Sequence, residues 1–505
     1  MHDALLLAPA HRLADALRAG EVTSRALVEG YLARIARLDP ALNAVIVVDA
    51  DGARRDAEVA DLLLRRAREG VGATLPPLAG VPITIKDMFA VAGLRTTYGF
   101  KALARHVPRE DATVVARLRA AGAVVLGKTN IPEASFDWQC DSPVYGRTRN
   151  PWDPRRTPGG SSGGAAAAVA AGFSALDVGS DVAGSVRLPA HYCGIYGLKP
   201  TEYRVSGAGH GEVRDALHAE VSPLVPRRAI GERGVRGIRS IVSFGPLARS
   251  VRDLEIVLLA IAGADPRRPE VPPVPVARAH PRALGDYRLA YTEDVDDVPL
   301  DAATRRAMRE LVARLEGAGA RVERVPAPMD FLDACDVWGS VIGAEMGAAL
   351  PHTVRIGLRT LFAVRFGAAR WGRAFARGLS DSLHQLESAL ARRDAHIRAV
   401  EGLLARYDGW ILPVSSTPAF EHCRTGGSLP VDGEAVAYGM AAGALVVPLS
   451  LTGHPVVSLP IGHSESGLPI GAQLVGRRWS DFELLALAGV VDGVAGQFRP
   501  PPGYE

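Results

Sequence analysis

The sequence predicts an α/β protein with one large, mixed, mostly parallel β-sheet as its core and helices on both faces. β-branched runs such as residues 81–87 alternate as strands do, and segments with helical apolar spacing lie between such runs. This strand–helix–strand order recurs, which is typical of parallel sheets covered by helices. Strands also recur on both sides of the proline-rich residues 265–282. One sheet shared by both halves is therefore favoured over two independent domains.

Local patterns predict the elements in order. Thr23 is a suitable cap for a helix whose apolar residues keep helical spacing up to Pro40. Strands are then expected at residues 43–49, 81–87, 123–126 and 173–178, with helices ending near Gly70 and starting at Asp111. Residues 205–236 are polar, with glycine and proline punctuation, and indicate an irregular surface excursion that could fold over a site.

The second half repeats the strand–helix–strand order in residues 287–326 and continues with a mostly helical segment, residues 330–408. The last elements expected are a strand at 410–414, hairpin-like strands at 455–462 and 468–475, and a helix at 481–492.

Composition excludes several classes of function. The chain has 505 residues, 48% hydrophobic and 22% charged, with a net charge of +3. This near balance gives no argument for nucleic acid or for a membrane surface, and no apolar run is long enough for a membrane span. Four widely spaced cysteines and no secretory signal segment predict reduced thiols in a cytoplasmic protein.

The stretch from Thr157 to Arg187 is the most informative part of the chain. A glycine–serine loop carrying Ser161 precedes an alanine-rich run, and a second turn of small residues carries Ser185. Glycines leave this backbone free to approach a ligand closely, and alanines favour a tightly packed helix. A flexible linker is the alternative, but linkers are not usually followed by an uninterrupted apolar segment.

Three other pattern matches are weak. Residues 122–129 fit a phosphate-loop pattern, but apolar residues that read as a strand fill its variable positions. Residues 160–164 fit a nucleophile elbow around Ser162 without the strand that should precede it. His191 and Cys193 lack a second pair of metal ligands, so a structural role is favoured.

The remaining hypothesis for the chemistry of this chain is a nucleophilic serine that is activated by a lysine. Serine needs an adjacent base, and a buried lysine can serve because desolvation disfavours its charged form. Lys86 is the candidate, as the lone cation at the end of an uncharged strand. Asp87 should point to the opposite face. From the strand alone, a lysine that reaches solvent is the alternative.

Six ordered motifs closely resemble the amidase signature family: GVPITIKD (80–87), GKTNIPE (127–133), NPWDPRRTPGGSSGG (150–164), GSDVAGSVRLPAHYCGIYGLKPT (179–201), GPLARSVRDLE (245–255) and LPIGAQLVGRR (468–478). The resemblance is specific at its centre and loose over residues 205–236 and 270–410. It implies one amidase signature domain over residues 1–505, with a core at 70–260 and 410–495 and a partly helical insertion at 270–408.

The resemblance also implies the roles of the catalytic residues. Ser185 would be the nucleophile that becomes acylated, Ser161 a bridging serine with a cis peptide bond, and Lys86 the base. Backbone N–H groups of the turn would form the oxyanion hole, which consists of Val182, Ala183, Gly184 and Ser185. The family commonly has glycine where this chain has Ala183.

Further residues would support that turn and the substrate. Ser180, Asp181 and Arg187 would orient the turn, with a surface ion pair as the alternative for the charged residues. The Ser135 carbonyl would contact the substrate amide and Phe136 the acyl group, although core packing explains Phe136 nearly as well.

The leading hypothesis is an amidase that hydrolyses a small-molecule carboxylic amide without metal or cofactor, and without a nucleic-acid partner. The alternatives are an amide-forming acyltransferase, a glutamine-dependent transamidase subunit that needs a partner chain and ATP, and a nucleotide-binding protein. A homodimer is left open.

Overall fold

The computed structural model describes residues 3–71, 74–213, 216, 238–295, 297–366 and 370–505. Most of the excursion expected at 205–236 therefore lies outside the described residues. The strands are β1 Val45–Val48, β2 Pro82–Lys86, β3 Val124–Thr129, β4 Asp141–Ser142, β5 Gly146–Arg147, β6 Leu176–Asp181, β7 Tyr196–Lys199, β8 Ser243–Ala248, β9 Arg288–Tyr291, β10 Arg321–Arg324, β11 Gly409–Pro413, β12 Ser428–Val431, β13 Glu434–Ala437, β14 Val456–His463 and β15 Pro469–Val475.

The helices flank these strands. They are α1 Asp3–Leu6, α2 Ala10–Ala19, α3 Ser24–Leu38, α4 Ala50–Arg68, α5 Thr113–Ala120, α6 Gly163–Ala170, α7 Arg187–Cys193, α8 Val251–Ile261, α9 Ala302–Gly317, α10 Phe331–Ala348, α11 His352–Phe366, α12 Arg370–Gly378, α13 Leu383–Leu404, α14 Tyr438–Gly443, α15 Val447–Leu451 and α16 Asp481–Ala495. Thr23 caps α3 as predicted, because its side chain accepts a hydrogen bond from the Ala26 N–H.

An eight-stranded mixed sheet, in the order β10-β9-β11-β15-β14-β7-β8-β6, confirms one large sheet built from both halves of the chain. The expectation that it is mostly parallel is wrong. Among its described strands, β9 pairs in parallel with β10 and β11, whereas the other five pairings are antiparallel. β6 and β7 flank a helix, as in a parallel unit, but β8 inserts between them and runs antiparallel to both. Local patterns do not reveal such an insertion.

The strand predicted at residues 81–87 is β2, which lies in a separate three-stranded sheet, β1-β3-β2. The start of β2 lies next to the segment that enters β6. The Ala175 N–H donates to the Pro82 carbonyl at 3.2 Å, and the Thr84 N–H donates to Ser174 Oγ at 2.9 Å. The end of β2 is thereby placed beside the stretch that contains the candidate serines.

The alanine-rich run forms α6, and every residue of this helix is buried. Its small side chains let neighbouring elements approach closely, which explains why a helix with no polar face occurs there. The predicted helical segment 330–408 is also confirmed, as α10 to α13. Gly339, Gly343 and Gly347 line one face of α10, where a Cβ would collide with carbonyl oxygens of residues 371–379. These glycines bring the backbones of α10 and α12 into contact.

Candidate active site

The side chain of Lys86 lies inside a cluster of serines. Its Nζ atom is 2.7 Å from Ser161 Oγ, 2.9 Å from Ser162 Oγ and 3.1 Å from Ser180 Oγ. Lys86 has no exposed surface, so the lysine does not reach solvent as the alternative interpretation of the strand allowed. The end of β2 thus places the Lys86 amine beside the start of α6.

The glycine–serine loop reaches this amine through close backbone packing. Gly159 has φ = +85°, a region that favours glycine. The Gly160–Ser161 peptide bond is cis, as the family resemblance implied. A Cβ at Gly160 would collide with the carbonyl oxygens of Asp137 and Gln139. The loop can therefore follow this path only with glycines at these two positions.

Burial makes Lys86 a suitable base. Desolvation lowers the pKa of Lys86 from its ordinary value to about 7, although the Asp181 carboxylate works in the opposite direction. Asp177, another carboxyl group that would favour the charged amine, carries less negative charge, because burial raises its pKa to about 7. The amine is thus neutral in a large fraction of molecules near neutral pH.

Asp87 points away from the amine, as strand alternation predicts. Its carboxylate pairs with the buried Lys128 at 3.2 Å and accepts a hydrogen bond from the Thr97 hydroxyl at 2.6 Å. Lys128 belongs to the phosphate-loop match, but it lies in β3 and also donates to the Phe89 carbonyl and Thr96 Oγ1. All three donors of its ammonium are used within the protein, which leaves none for a phosphate.

Ser185 lies across from the loop on the turn that follows β6. The Ser162 N–H donates to the Ser185 carbonyl at 3.2 Å, so the loop and the turn are in direct contact. Ser185 is 7% exposed, whereas Ser161 is 1% exposed. Within the described residues no hydrogen bond joins the two hydroxyl groups. The structure therefore brings the backbone of the predicted nucleophile into contact with the loop, while the predicted bridge contacts the lysine.

A buried ion pair supports the turn. Arg187 donates from Nε and Nη2 to the two carboxylate oxygens of Asp181 at 3.0 and 2.9 Å, and both side chains are fully buried. The surface ion pair considered as an alternative is therefore wrong. Burial alone would raise the pKa of Asp181, but the guanidinium outweighs burial and holds this pKa well below its usual range. Arg187 also donates to Gln473 Oε1 and Ser450 Oγ, both at 2.7 Å.

The Asp181 carboxylate in turn organises the backbone of residues 182–186. It accepts hydrogen bonds from the N–H groups of Gly184 at 2.8 Å and Val186 at 3.1 Å. Ser180, which was expected to orient the turn, instead contacts the Lys86 amine. Asp181 and Arg187 therefore hold the turn, and Ser180 belongs to the lysine cluster.

The four N–H groups assigned to the oxyanion hole are not equivalent. The Gly184 N–H is already occupied by Asp181, whereas the N–H groups of Val182, Ala183 and Ser185 have no acceptor among the described residues. Gly184 contributes in another way, since its φ is +91° and a Cβ there would collide with the side chain of Val446. Gly184 therefore permits the turn, and the neighbouring residues carry the N–H groups that are free.

We expect Arg187→Met to lower the free energy of unfolding by about 3–5 kcal/mol, because it leaves Asp181 buried without its charge partner. Urea denaturation of purified variants measures this change. Arg147→Met provides the matched control, since its pair with Asp141 is about half exposed and is expected to contribute less than about 1 kcal/mol. Equal losses in the two variants would contradict the role given to the buried pair.

Ser135 and Phe136 border the glycine–serine loop through the neighbouring Asp137. The Phe136 ring packs edge to face against Phe362 and Phe375, at centroid distances of 5.2 and 5.5 Å. These contacts fit both core packing and an apolar wall. Ser135 has φ = +59°. Its contact with a substrate stays a prediction.

Two features of this site were not predicted from the sequence. Ser162 matched only a nucleophile elbow, yet it lies about as close to the amine as its neighbour; two adjacent serines at the start of a helix could have suggested a shared partner. Trp138 and Trp338 bind the turn through their indole groups, and no local signal marks Trp338, which lies in the segment that matches the family loosely.

Within the described ranges, no group of His, Cys, Asp or Glu side chains is arranged to hold a metal ion, and no helix is long and apolar enough to cross a membrane.

The chain is similar to known proteins over most of its length. A model of the amidase family matches residues 26–485. A subunit of the glutamyl-tRNA(Gln) amidotransferase from Prochlorococcus marinus (strain MIT 9313) is 34% identical over 496 residues, which cover 94% of each chain.

Two solved structures share the fold over nearly the whole chain. One is described as an unexpected vestigial protein complex that reveals the evolutionary origins of an s-triazine catabolic enzyme; it is 30% identical, with a TM-score of 0.78 and coverage of 98% of this chain and 100% of that one. The other, 6-aminohexanoate cyclic dimer hydrolase in complex with substrate, is 27% identical, with a TM-score of 0.77 and coverage of 99% of both chains.

Proposed function

Because the chain belongs to the amidase signature family, whose members act on carbon–nitrogen bonds, we propose that it hydrolyses a carboxylic amide through an acyl-enzyme on Ser185. The observation that carries the proposal is the buried Lys86 amine, 2.7 Å from Ser161 Oγ. A neutral amine has one lone pair and two N–H groups. The lone pair accepts the proton of Ser161, and the two N–H groups can donate to Ser162 and Ser180.

The first half of the reaction forms the acyl-enzyme. Lys86 takes the proton of Ser161, which takes the proton of Ser185 as that oxygen attacks the amide carbon. The negative charge that develops on the carbonyl oxygen is stabilised by free N–H groups of the turn, foremost those of Ala183 and Ser185. The relay then runs backwards and protonates the leaving nitrogen, so the amine or ammonia departs and an ester remains on Ser185.

The second half repeats the relay with water. A water molecule attacks the ester carbon while its proton passes through the same serine to Lys86. Collapse of the second tetrahedral intermediate breaks the bond to Ser185 Oγ, which recovers its proton. The products are a carboxylate and the free enzyme, and no cofactor is consumed.

We expect kcat/KM to rise with pH through an apparent pKa of about 7, since desolvation lowers the pKa of Lys86 to about 7 and only its neutral form acts as a base. Below this value the amine is protonated, and the rate should fall about tenfold for each unit of pH. The measurement is kcat/KM from about pH 5 to about pH 10 with one amide substrate. A flat profile across the acidic and neutral range would argue against a lysine base.

The direct test of the proposed function is a screen of the purified chain against aryl, fatty acyl, peptide and small aliphatic amides. Release of amine or ammonia together with the carboxylate is the expected result. Rapid quenching followed by peptide mass spectrometry should locate the acyl group on Ser185. Added hydroxylamine divides the acyl-enzyme between hydroxamate and carboxylate, which separates hydrolysis from acyl transfer to an amine.

The second candidate is a component of a glutamine-dependent transamidase. It is favoured by the 34% identity to proteins named as glutamyl-tRNA(Gln) amidotransferase subunits. Such a role would require a partner chain, to which ammonia from glutamine would pass. Hydrolysis of simple amides by the isolated chain, with no preference for glutamine, would support the amidase. Activity that is confined to glutamine, and increased by a partner, would support the transamidase.

A further inference from the structure

Three tryptophans from distant parts of the chain pack together behind the turn of residues 182–185. Trp138 lies in the loop after β3, Trp338 in α10 and Trp371 in α12. Trp371 packs edge to face against the other two, at centroid distances of 5.4 and 5.7 Å. All three are nearly buried, with exposures of 3–6%. The cluster forms a rigid wall directly behind the backbone that presents the free N–H groups.

Two of these indoles hold carbonyl groups of the turn. Trp338 Nε1–H donates to the Val182 carbonyl and Trp138 Nε1–H donates to the Ala183 carbonyl, both at 2.8 Å. Indole nitrogen can only donate, so a buried tryptophan needs an acceptor such as these carbonyls. The distances are those of well-formed hydrogen bonds.

The two hydrogen bonds differ in what they position. In a trans peptide the carbonyl and the N–H point in opposite directions from one rigid plane. Trp138 anchors the peptide whose N–H belongs to Gly184, and that N–H donates to Asp181. Trp338 anchors the peptide whose N–H belongs to Ala183, and that N–H has no acceptor among the described residues. Of these two indoles, only Trp338 therefore anchors a peptide whose N–H is free among the described residues.

We propose that Trp338 is a positioning residue for the oxyanion hole: its indole N–H fixes the Val182–Ala183 peptide so that the Ala183 N–H points at the developing oxyanion. This inference rests on the proposed acyl-enzyme mechanism. It also gives the helical segment 330–408 a part in catalysis, since the glycine face of α10 sets the position of Trp338 against α12.

Trp338 would contribute to the rate through the orientation of the Ala183 N–H. Removal of one oxyanion donor costs about 10²–10³-fold in rate in well-studied enzymes. Loss of the Trp338 hydrogen bond would leave the Ala183 donor in place but free to rotate, and a misplacement of about 1 Å can cost about 10²-fold. We expect Trp338→Phe to slow reactions that generate an oxyanion by about 10- to 100-fold.

The test compares three Trp→Phe variants that each lose one indole donor. The readout is the second-order rate constant for phosphonylation of Ser185 by an alkyl fluorophosphonate, a reaction that also develops negative charge on oxygen. Trp338→Phe should show the full loss of about 10- to 100-fold and Trp138→Phe a smaller one. Trp410 lies in β11, and its buried indole N–H donates to Thr292 at 2.9 Å. Trp410→Phe loses this hydrogen bond and should react at the wild-type rate.

Two further measurements separate a loss of donor positioning from a general loss of stability. The thermal midpoints of Trp338→Phe and Trp410→Phe should be similar, since each loses one buried hydrogen bond. With an amide substrate, Trp338→Phe should lower kcat and leave KM nearly unchanged, because the lost interaction belongs to the transition state. Equal phosphonylation rates for wild type and Trp338→Phe would overturn the inference. A wild type that neither reacts at Ser185 nor hydrolyses any amide would overturn the proposed function, and the inference with it.

Discussion

Ser185→Ala is expected to lower kcat by about 10⁵-fold or more, because the variant lacks the hydroxyl group that we propose forms the acyl-enzyme. Loss of a serine nucleophile leaves only the contribution of binding and of the oxyanion donors. The measurement is amide turnover by the purified variant, together with fluorophosphonate labelling, which should no longer modify the peptide that contains residue 185.

Ser415→Ala is the matched control for this loss. Ser415 is also a buried serine, 1% exposed, whose hydroxyl contacts Tyr192 and donates to the Ala441 carbonyl. Its replacement should leave turnover close to that of wild type. If Ser185→Ala retained more than a few per cent of wild-type turnover, Ser185 could not be the nucleophile.

Lys86→Met is expected to lower kcat by about 10³–10⁴-fold, since it removes the group that both accepts and returns the proton. The same change should raise stability at neutral pH. The unfolded chain carries a proton on Lys86 up to its ordinary pKa of 10.5, whereas burial lowers the folded-state pKa to about 7. Between these two pKa values, folding must release that proton, which lowers the free energy of unfolding. The loss of stability is greatest at about pH 7 and below, and it disappears as the pH approaches 10.5. Methionine has no such cost.

Lys128→Met should show the opposite combination. Lys128 is equally buried but pairs with Asp87 at 3.2 Å, so its loss leaves a buried carboxyl group without its charge partner and should lower the free energy of unfolding by about 3–5 kcal/mol. Turnover of the fraction that remains folded should change little. Urea denaturation and turnover, measured on both lysine variants, test the two assignments together. A Lys86→Met protein that was unstable yet active would contradict the assignment of Lys86 as the base.

Much of the site could be predicted because its signals are local in sequence. Strand alternation placed Lys86 and Asp87 on opposite faces, and the structure confirms that separation, with one residue at the serines and the other at Lys128. The glycine frame of Ser161 marked a backbone that must pass close to other chain segments. Asp181 and Arg187 are six residues apart, so their pairing was within reach of the motif.

The remaining features depend on contacts between distant segments. β8 inserts between β6 and β7 and adds two antiparallel pairings at a place where the local strand–helix–strand order suggests a parallel one. Trp338 reaches the turn from a helix 156 residues away in sequence. Occupation of the Gly184 N–H depends on the three-dimensional path of the turn, which residue types alone do not determine.

The hydrogen bonds of Arg187 tie the turn of residues 182–185 to residues far downstream in the sequence. Gln473 lies 286 residues downstream, and Ser450 lies 263 residues downstream. During synthesis the turn is translated long before these partners leave the ribosome. A nascent polypeptide therefore lacks part of the support of residues 182–185 until residue 473 has been translated, and we expect the proposed amidase activity only after that point.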